Sequence, residues 1–273
     1  MNKILYDPSP ERLISIFEEN LFAWIPVLGR MGQVHLDSPP GVRRSITDIP
    51  MSLLNSVMDA RLTTDQVDGT IQAIIADARS RKVPLLWWTS PSTRPTDLGK
   101  HLERHGFKLD EESPGMAVHL AELKESQSVP EGLSIHLAQD DASWLEWSGG
   151  MAAGFEIPVS ADFVVETWHD LLRKADHETV QAFTGRLNGK PVATSLLFLA
   201  GGVAGIYSVG TIPVARGKGI GRAMTQHALC QARSMGYEVG VLQASEMGFN
   251  VYRSLGFQEV CRISSYRWRL ETA

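Results

Sequence analysis

The hydrophobic positions of this chain change period several times, and each change marks an element. Phe163, Val164, Thr167, Trp168, Leu171 and Leu172 recur at three and four residues and predict a helix. Trp144, Leu145 and Met151 mark a shorter one ahead of it. Residues 179–199 are β-rich on both sides of Asn188-Gly189, a pair suited to the two positive φ angles of a tight hairpin, so two antiparallel strands are expected. After Gly201-Gly202 a third strand is predicted over Val203–Thr211, ended by Pro213 and a glycine-rich loop. Ile220, Ala223, Met224 and Ala228 then begin an amphipathic helix. Residues 238–244 read as a strand. Met247, Val251 and Leu255 line one face of a short helix that stops at Gly256, and residues 257–270 form a β-rich tail. The order is helix, helix, three strands, helix, strand, helix, strand.

Part of this order occurs earlier in the chain. Val67, Ile71, Ile74, Ile75 and Ala78 mark an amphipathic helix, Leu85–Thr89 a strand, residues 98–105 a helix, and Gly106-Phe107 its stop. The later counterpart runs from a helix ending at Met235 through a strand and a second helix to Gly256-Phe257, and the closing strings correspond, LERHGF against YRSLGF. A polar stretch over 122–132, with Lys124, Ser126, Gln127, Ser128 and Pro130, separates the halves. The expectation is an α/β protein of the α+β, mixed-sheet kind, in two lobes at residues 1–125 and 132–273.

Composition narrows the partners more than the fold. A length of 273 residues admits one large domain or two ordinary ones, and 43% hydrophobic with 21% charged residues is the balance of an ordered globular chain. A formal net charge of -5 lacks the broad positive field that holds a phosphate backbone, so nucleic acid is not an expected partner, and any anion would be bound by a local basic loop. Cys230 falls in a predicted helix and Cys261 in a predicted strand, which suits free thiols better than a disulfide framework or a metal cluster. The opening residues lack the apolar core of a signal peptide, and no stretch has the apolar length to cross a bilayer. A cytoplasmic protein with no membrane partner is expected.

The chemistry concentrates in one loop. A strand, then Pro213, then Arg216-Gly217-Lys218-Gly219-Ile220-Gly221, then a helix, places glycines where a ligand can approach the backbone without meeting Cβ atoms. Successive N–H groups and the helix N-terminus would point at an anion, and a pyrophosphate fits that geometry. A dinucleotide fingerprint would need glycine at Arg222, and the Gly-Lys-Ser/Thr ending of a nucleotide loop is missing. Taken alone, the loop leaves open a plain turn joining strand to helix.

Together with LQAS at 242–245 and NVYRSLGF at 250–257, Arg216-x-x-Gly219-x-Gly221 resembles the acetyl-CoA signature of the GNAT N-acyltransferase superfamily, over a span from about Leu133 to the last residue. The resemblance implies a tandem GNAT-like fold with acetyl-CoA as acyl donor and no metal. It implies that the amides of the loop Arg216, Gly217, Lys218, Gly219, Ile220 and Gly221 bind the coenzyme pyrophosphate and that backbone at Val209, Gly210 and Thr211 holds the pantetheine and thioester carbonyl; the Lys218 and Arg222 side chains either reach the phosphates as well or are simply solvated. Asn250 would hydrogen-bond the coenzyme, and Tyr252 would protonate the leaving thiolate. That last role is chemically sound, since a phenol with a pKa of about 10 can supply a proton as charge develops on a thiolate whose conjugate acid titrates at about 8.5. In the first half, 62–67 read LTTDQV where the loop should stand, and Leu102 takes the place of Tyr252, so this lobe resembles a degenerate copy that neither binds coenzyme nor catalyses.

Some family members carry a glutamate on the strand before the loop. Here that strand offers only Tyr207 and Ser208, and Glu156 in GFEIP either lines the acceptor site or is an exposed loop carboxylate. His101 and His105 share a helix face without a third ligand, which suggests a solvated face, and Trp87 and Trp88 point to opposite sides of a strand. The expected activity is transfer of the acetyl group to the primary amine of a small molecule, by direct attack in a ternary complex. The alternative is a non-catalytic sensor of acyl-CoA or an amine, against which an intact Tyr252 argues. A homodimer is open as the assembly.

Overall fold

Asn188 and Gly189 both take positive φ, 51° and 79°, and join two strands as the hairpin pattern requires. The structure is a computed structural model that describes residues 4–5, 9–29, 40–125, 129–157 and 162–270. Its elements run α1 (Pro10–Gly29), β1 (Arg43–Ser45), β2 (Ser56–Met58), α2 (Thr64–Arg81), β3 (Leu85–Thr89), α3 (Leu98–Arg104) and β4 (Lys108–His119). They continue with β5 (Leu133–Leu137), α4 (Asp141–Gly154), α5 (Asp162–Lys174), β6 (Val180–Leu187), β7 (Lys190–Ala200), β8 (Val203–Thr211), α6 (Ile220–Ser234), β9 (Val239–Gln243), α7 (Glu246–Leu255) and β10 (Gln258–Trp268). Among the described residues no helix is long and apolar enough to cross a membrane.

The chain divides into two compact units. The larger holds residues 1–20 and 116–259, and the smaller holds 21–115 and 260–273. In the larger unit β5, β6, β7 and β8 are antiparallel neighbours, β9 runs parallel to β8, and the end of β4 follows β9. Successive residues of a strand point to opposite faces. On β7, Ala193, Leu197 and Leu199 join Ile220, Met224, Ala228 and Leu229 of α6 in one core, whereas Thr194 meets α4 at Gly150. Helices therefore cover both faces.

The smaller unit contains β1, β2, β3, β10 and the start of β4, in that order, with β2 parallel and β10 antiparallel to β3. Val67, Ile71, Ile74 and Ala78 of α2 pack with Trp87, Leu98, Leu102, Phe107 and Trp268. Both tryptophans of β3 are buried, and Trp88 donates its indole N–H to Ser56 Oγ at 3.1 Å. The histidine pair differs from expectation. Its face is not simply solvated, because His101 is buried, and its Nδ1 lies 3.1 Å from Asp68 Oδ1, while His105 Nε2 lies 3.0 Å from the same oxygen.

The two units repeat each other down to their turns. After α3, Gly106 takes φ 86° and Phe107 N–H donates to Leu102 O at 3.0 Å; after α7, Gly256 takes φ 104° and Phe257 N–H donates to Tyr252 O at 3.2 Å. After α2 and α6 the left-handed residues are Lys82 and Gly236, followed by matching bonds from Val83 N–H to Ala78 O and from Tyr237 N–H to Ala232 O. The division of contacts, however, does not follow the expected limits at 1–125 and 132–273. From Met116 onward β4 belongs to the larger unit, where Met116, Val118 and Leu120 join its core, and from Val260 onward β10 belongs to the smaller. There β10 pairs with β3 from Ser264 opposite Thr89 to Trp268 opposite Leu85. Each lobe is completed by the other lobe's last strand.

The start of α1 also serves the larger unit. Asn20, fully buried, donates through Nδ2 to Ala200 O at 3.0 Å and Phe198 O at 3.4 Å, and accepts at Oδ1 from the Tyr207 hydroxyl at 2.7 Å. Gly205 makes room for it, since a Cβ there would stand 2.1 Å from Asn20 Oδ1. An N20A variant leaves buried polar groups short of partners and is expected to lower stability by about 2 kcal/mol, measured by denaturant unfolding.

Candidate functional site

Parallel strands β8 and β9 pair at Ala204–Gly240 and Gly205–Val241, and β8 then continues to Thr211 without further rungs to β9. Along the same stretch the β7–β8 ladder slips. Leu196 stands opposite Tyr207 and Thr194 opposite Gly210, so Ser208 and Val209 together face Ser195. Ser208 adopts φ 48°, left-handed for a residue with a side chain. Val209 leans on the α6-side core, and Gly210 lies under Phe155, whose ring would be 3.1 Å from a Cβ at that position. Helix α4 ends directly on this backbone: a Cβ on Gly154 would be 3.1–3.3 Å from Gly210 and Thr211 main-chain atoms. The parted strands, the bulge and the end of α4 thus meet at Val209, Gly210 and Thr211.

The glycine loop adjoins them. Gly217 and Gly219 both take φ 76°, conformations that disfavour any other residue, and a Cβ on Gly217 would meet nothing within 4 Å. Helices α4 and α7 are capped by Asp140 and Ser245, which accept from Ser143 N–H and Gly248 N–H. The N-cap of α6 is Gly219, which brings no side chain to its first-turn amides. The first-turn amides therefore keep the positive end of the helix dipole without a capping side chain, while the Ile220 side chain turns into the core. A Cβ on Gly221 would lie 3.8 Å from Thr211 Oγ1, which places the helix start beside the end of β8.

Two of the three cations in the loop region have protein partners. Arg216 donates to Thr211 O through Nε and to Gly154 O through Nη2, both at 3.0 Å, and pairs through Nη1 with Glu156 Oε1 at 2.7 Å. Its guanidinium ties β8, α4 and the segment after α4 together. Arg222 reaches Ser254 Oγ of α7 and Lys124 O. Lys218 stays exposed on a cleft of about 440 Å³ whose lining includes Pro130, Ile135, Gly219, Arg222 and His227. Glu156 is an exposed carboxylate in a left-handed residue, φ 54°, engaged by Arg216.

Tyr252 projects inward from α7 into the core of the larger unit, against Gly248 one turn earlier and edge-on to Phe257. Burial pushes its phenol up to about 12, so the ring keeps its proton throughout the neutral range. Asn250 is exposed on the other side of α7, one turn before the Ser254 that Arg222 reaches. Tyr207 donates its hydroxyl to Asn20 Oδ1, and burial raises its pKa, so it stays protonated and is poorly suited to act as a base.

The smaller unit treats the same place in the opposite way. Past the β2–β3 rungs, Arg94 N–H donates to Ala60 O at 2.9 Å and Leu62 N–H donates to Arg94 O at 3.0 Å, so a strand-like bridge fills the opening. The start of α2 is closed by the Thr63–Gln66 capping box and carries Asp65 in its first turn. Leu102 is fully buried where Tyr252 stands in the other unit. Among the site features, sequence reasoning missed this bridge, the bulge clamp around Ser208 and the Arg216 tie, because all three depend on bonds between distant segments.

Comparison with known proteins bears on the fold. Residues 140–260 match the family model of the acetyltransferase (GNAT) domain. A GCN5-related N-acetyltransferase from Kribbella flavida shares the fold with a TM-score of 0.69 and 19% identity, over 90% of this chain and 93% of that one. Another, from Sphaerobacter thermophilus, gives 0.65 and 18% over 100% and 98% of the two chains. A tandem GNAT protein from the clavulanic acid biosynthesis pathway gives 0.57 and 12% over 94% and 96%. No curated protein matches the sequence. The fold is that of the GNAT N-acetyltransferases, and the resemblance read from the C-terminal half holds.

The state of Tyr252 is open to direct measurement. Spectrophotometric titration of the wild type against a Y252F variant should assign to Tyr252 a phenolate transition well above the ordinary 10; a transition near 10 would mean a solvated ring. Because the folded value is raised, the linked stability is present below pH 10 and is lost as pH climbs toward 12.

Proposed function

We propose that the larger unit is an acetyl-CoA-dependent N-acetyltransferase that acts on the primary amine of a small molecule. The observation that carries this reading is the join between an uncapped, glycine-led helix start and a strand that has parted from its parallel neighbour. A pyrophosphate would rest on the amides of 216–222, with Lys218 as the accessible cation. The pantetheine would run along Val209, Gly210 and Thr211 in the opening between β8 and β9, and Asn250 would add a polar contact from α7. On this reading the first lobe binds no coenzyme: its opening is bridged by Arg94, and its helix start is capped.

The chemistry needs no covalent enzyme intermediate. The neutral amine attacks the thioester carbonyl carbon, and a backbone N–H of the bulge meets the charge that develops on the carbonyl oxygen. As the tetrahedral species collapses, the C–S bond breaks and the sulfur takes the Tyr252 proton, while the proton of the new ammonium leaves to solvent. A phenol held near 12 is protonated whenever the coenzyme arrives. Recovery of that proton from water resets the site.

Calorimetric titration should give one acetyl-CoA per chain, and two would refute the degenerate reading of the first lobe. In free-thiol release against a panel of amines, Y252F should lower kcat about a hundredfold while the Kd for acetyl-CoA stays within about twofold. Unchanged turnover would remove Tyr252 from the mechanism, and coenzyme binding without turnover of any amine would favour a sensor.

A further inference from the structure

The bulge that faces the parted strands is held by two buried side chains. Thr194 on β7 donates its hydroxyl to Ser208 O at 3.0 Å, and Trp147 on α4 donates its indole N–H to Ser195 O at 3.1 Å, on the residue opposite the bulge. Thr194, Ser195 and Trp147 are each 0% exposed. A bulge lifts a carbonyl out of the ladder, and a buried carbonyl without a donor is costly, so one of these bonds answers a need that the slip in register creates. Ser208 itself is unfavourable at φ 48° for a residue carrying a Cβ. Such a conformation persists only where its surroundings over-determine it. Here they do so from both sides, with a hydroxyl on the bulge and an indole on its opposite number.

We propose that Thr194 and Trp147 are positioning residues that hold Ser208–Val209 in its bulged form, and thereby aim the Val209 N–H at the thioester carbonyl oxygen. The inference rests on the acetyltransferase reading and adds to it the side chains that set the direction of the donor. Neither residue touches the substrate. Their effect falls mainly on the carbonyl, because the pantetheine also runs along Gly210 and Thr211 and the pyrophosphate rests on the amides of 216–222. A purely structural role would weaken every ligand alike.

A binding experiment separates these cases without an acceptor amine. Affinities for acetyl-CoA and for S-ethyl-CoA, a thioether that lacks the carbonyl oxygen, are measured on wild type, T194V and T194S. Wild type should prefer the thioester. T194V should shrink that preference about tenfold, the worth of one well-placed hydrogen bond, with the thioether Kd held within about twofold. T194S keeps the hydroxyl and should restore the preference, as should S208G in the T194V background, since glycine holds a positive φ without the clamp. W147F supplies a second route to the same loss should T194V fold poorly. The proposal is overturned if T194V and W147F leave the preference unchanged, if they weaken both ligands equally, or if neither T194S nor S208G restores it. Failure of wild type to bind either ligand would instead refute the coenzyme reading itself.

Discussion

The larger unit depends on a constraint that parallel strands ordinarily escape: β8 and β9 stop pairing partway, and the backbone beyond Gly205 and Val241 must find other partners. Much of the local structure responds to this. The register slips so that Ser208 leaves the ladder, Thr194 donates to its carbonyl, Arg216 donates to the carbonyl of Thr211, and the end of α4 presses through Gly154 onto Gly210. Among the described residues, the first turn of α6 has no capping side chain. On the proposed reading, an opening lined by ordered backbone, with amides at one end, is what would suit the unit to an extended anionic thioester.

The smaller unit shows what the same plan becomes when the opening is filled. It repeats the parallel pair, the intervening helix and the glycine turn before a buried phenylalanine, yet its gap is bridged by Arg94 and its helix start is capped by Thr63 and Gln66. The contrast separates the parts of the plan that serve folding from those that the proposed function assigns to a ligand. Turns after α2, α3, α6 and α7 recur in both units because each helix must end before the next strand. Glycines at 217 and 219 have no counterpart, because only the larger unit bends its backbone there.

Elements whose side chains have one clear periodicity were legible in the sequence. Helices α2, α5 and α6 carry strong apolar stripes, and the β6–β7 hairpin announces itself through Asn188-Gly189. The start of β4 was not legible, since Lys108, Leu109, Asp110, Glu111 and Glu112 are all exposed, and α1 was missed although it is amphipathic. The exchange of last strands could not be read from a local pattern at all. Nothing in 258–268 says which lobe it completes; that choice is made by Trp268 entering the core around Leu85 and Trp87, and by the register with β3.

The candidate site was legible as a location and less so as a set of contacts. Glycine spacing located the loop, because positive φ restricts residue type directly. Charge was a poorer guide. Arg216 and Arg222 sit in the motif, but a planar guanidinium with several donors can satisfy carbonyl oxygens as readily as phosphates, and each has protein partners nearby. Arg216 joins the end of β8 to the end of α4 and to Glu156. The positive character of this loop therefore comes mainly from main-chain amides and the helix start, with Lys218 as the accessible ammonium. An anion held this way is bound by geometry more than by net charge, which fits a chain whose formal balance is -5.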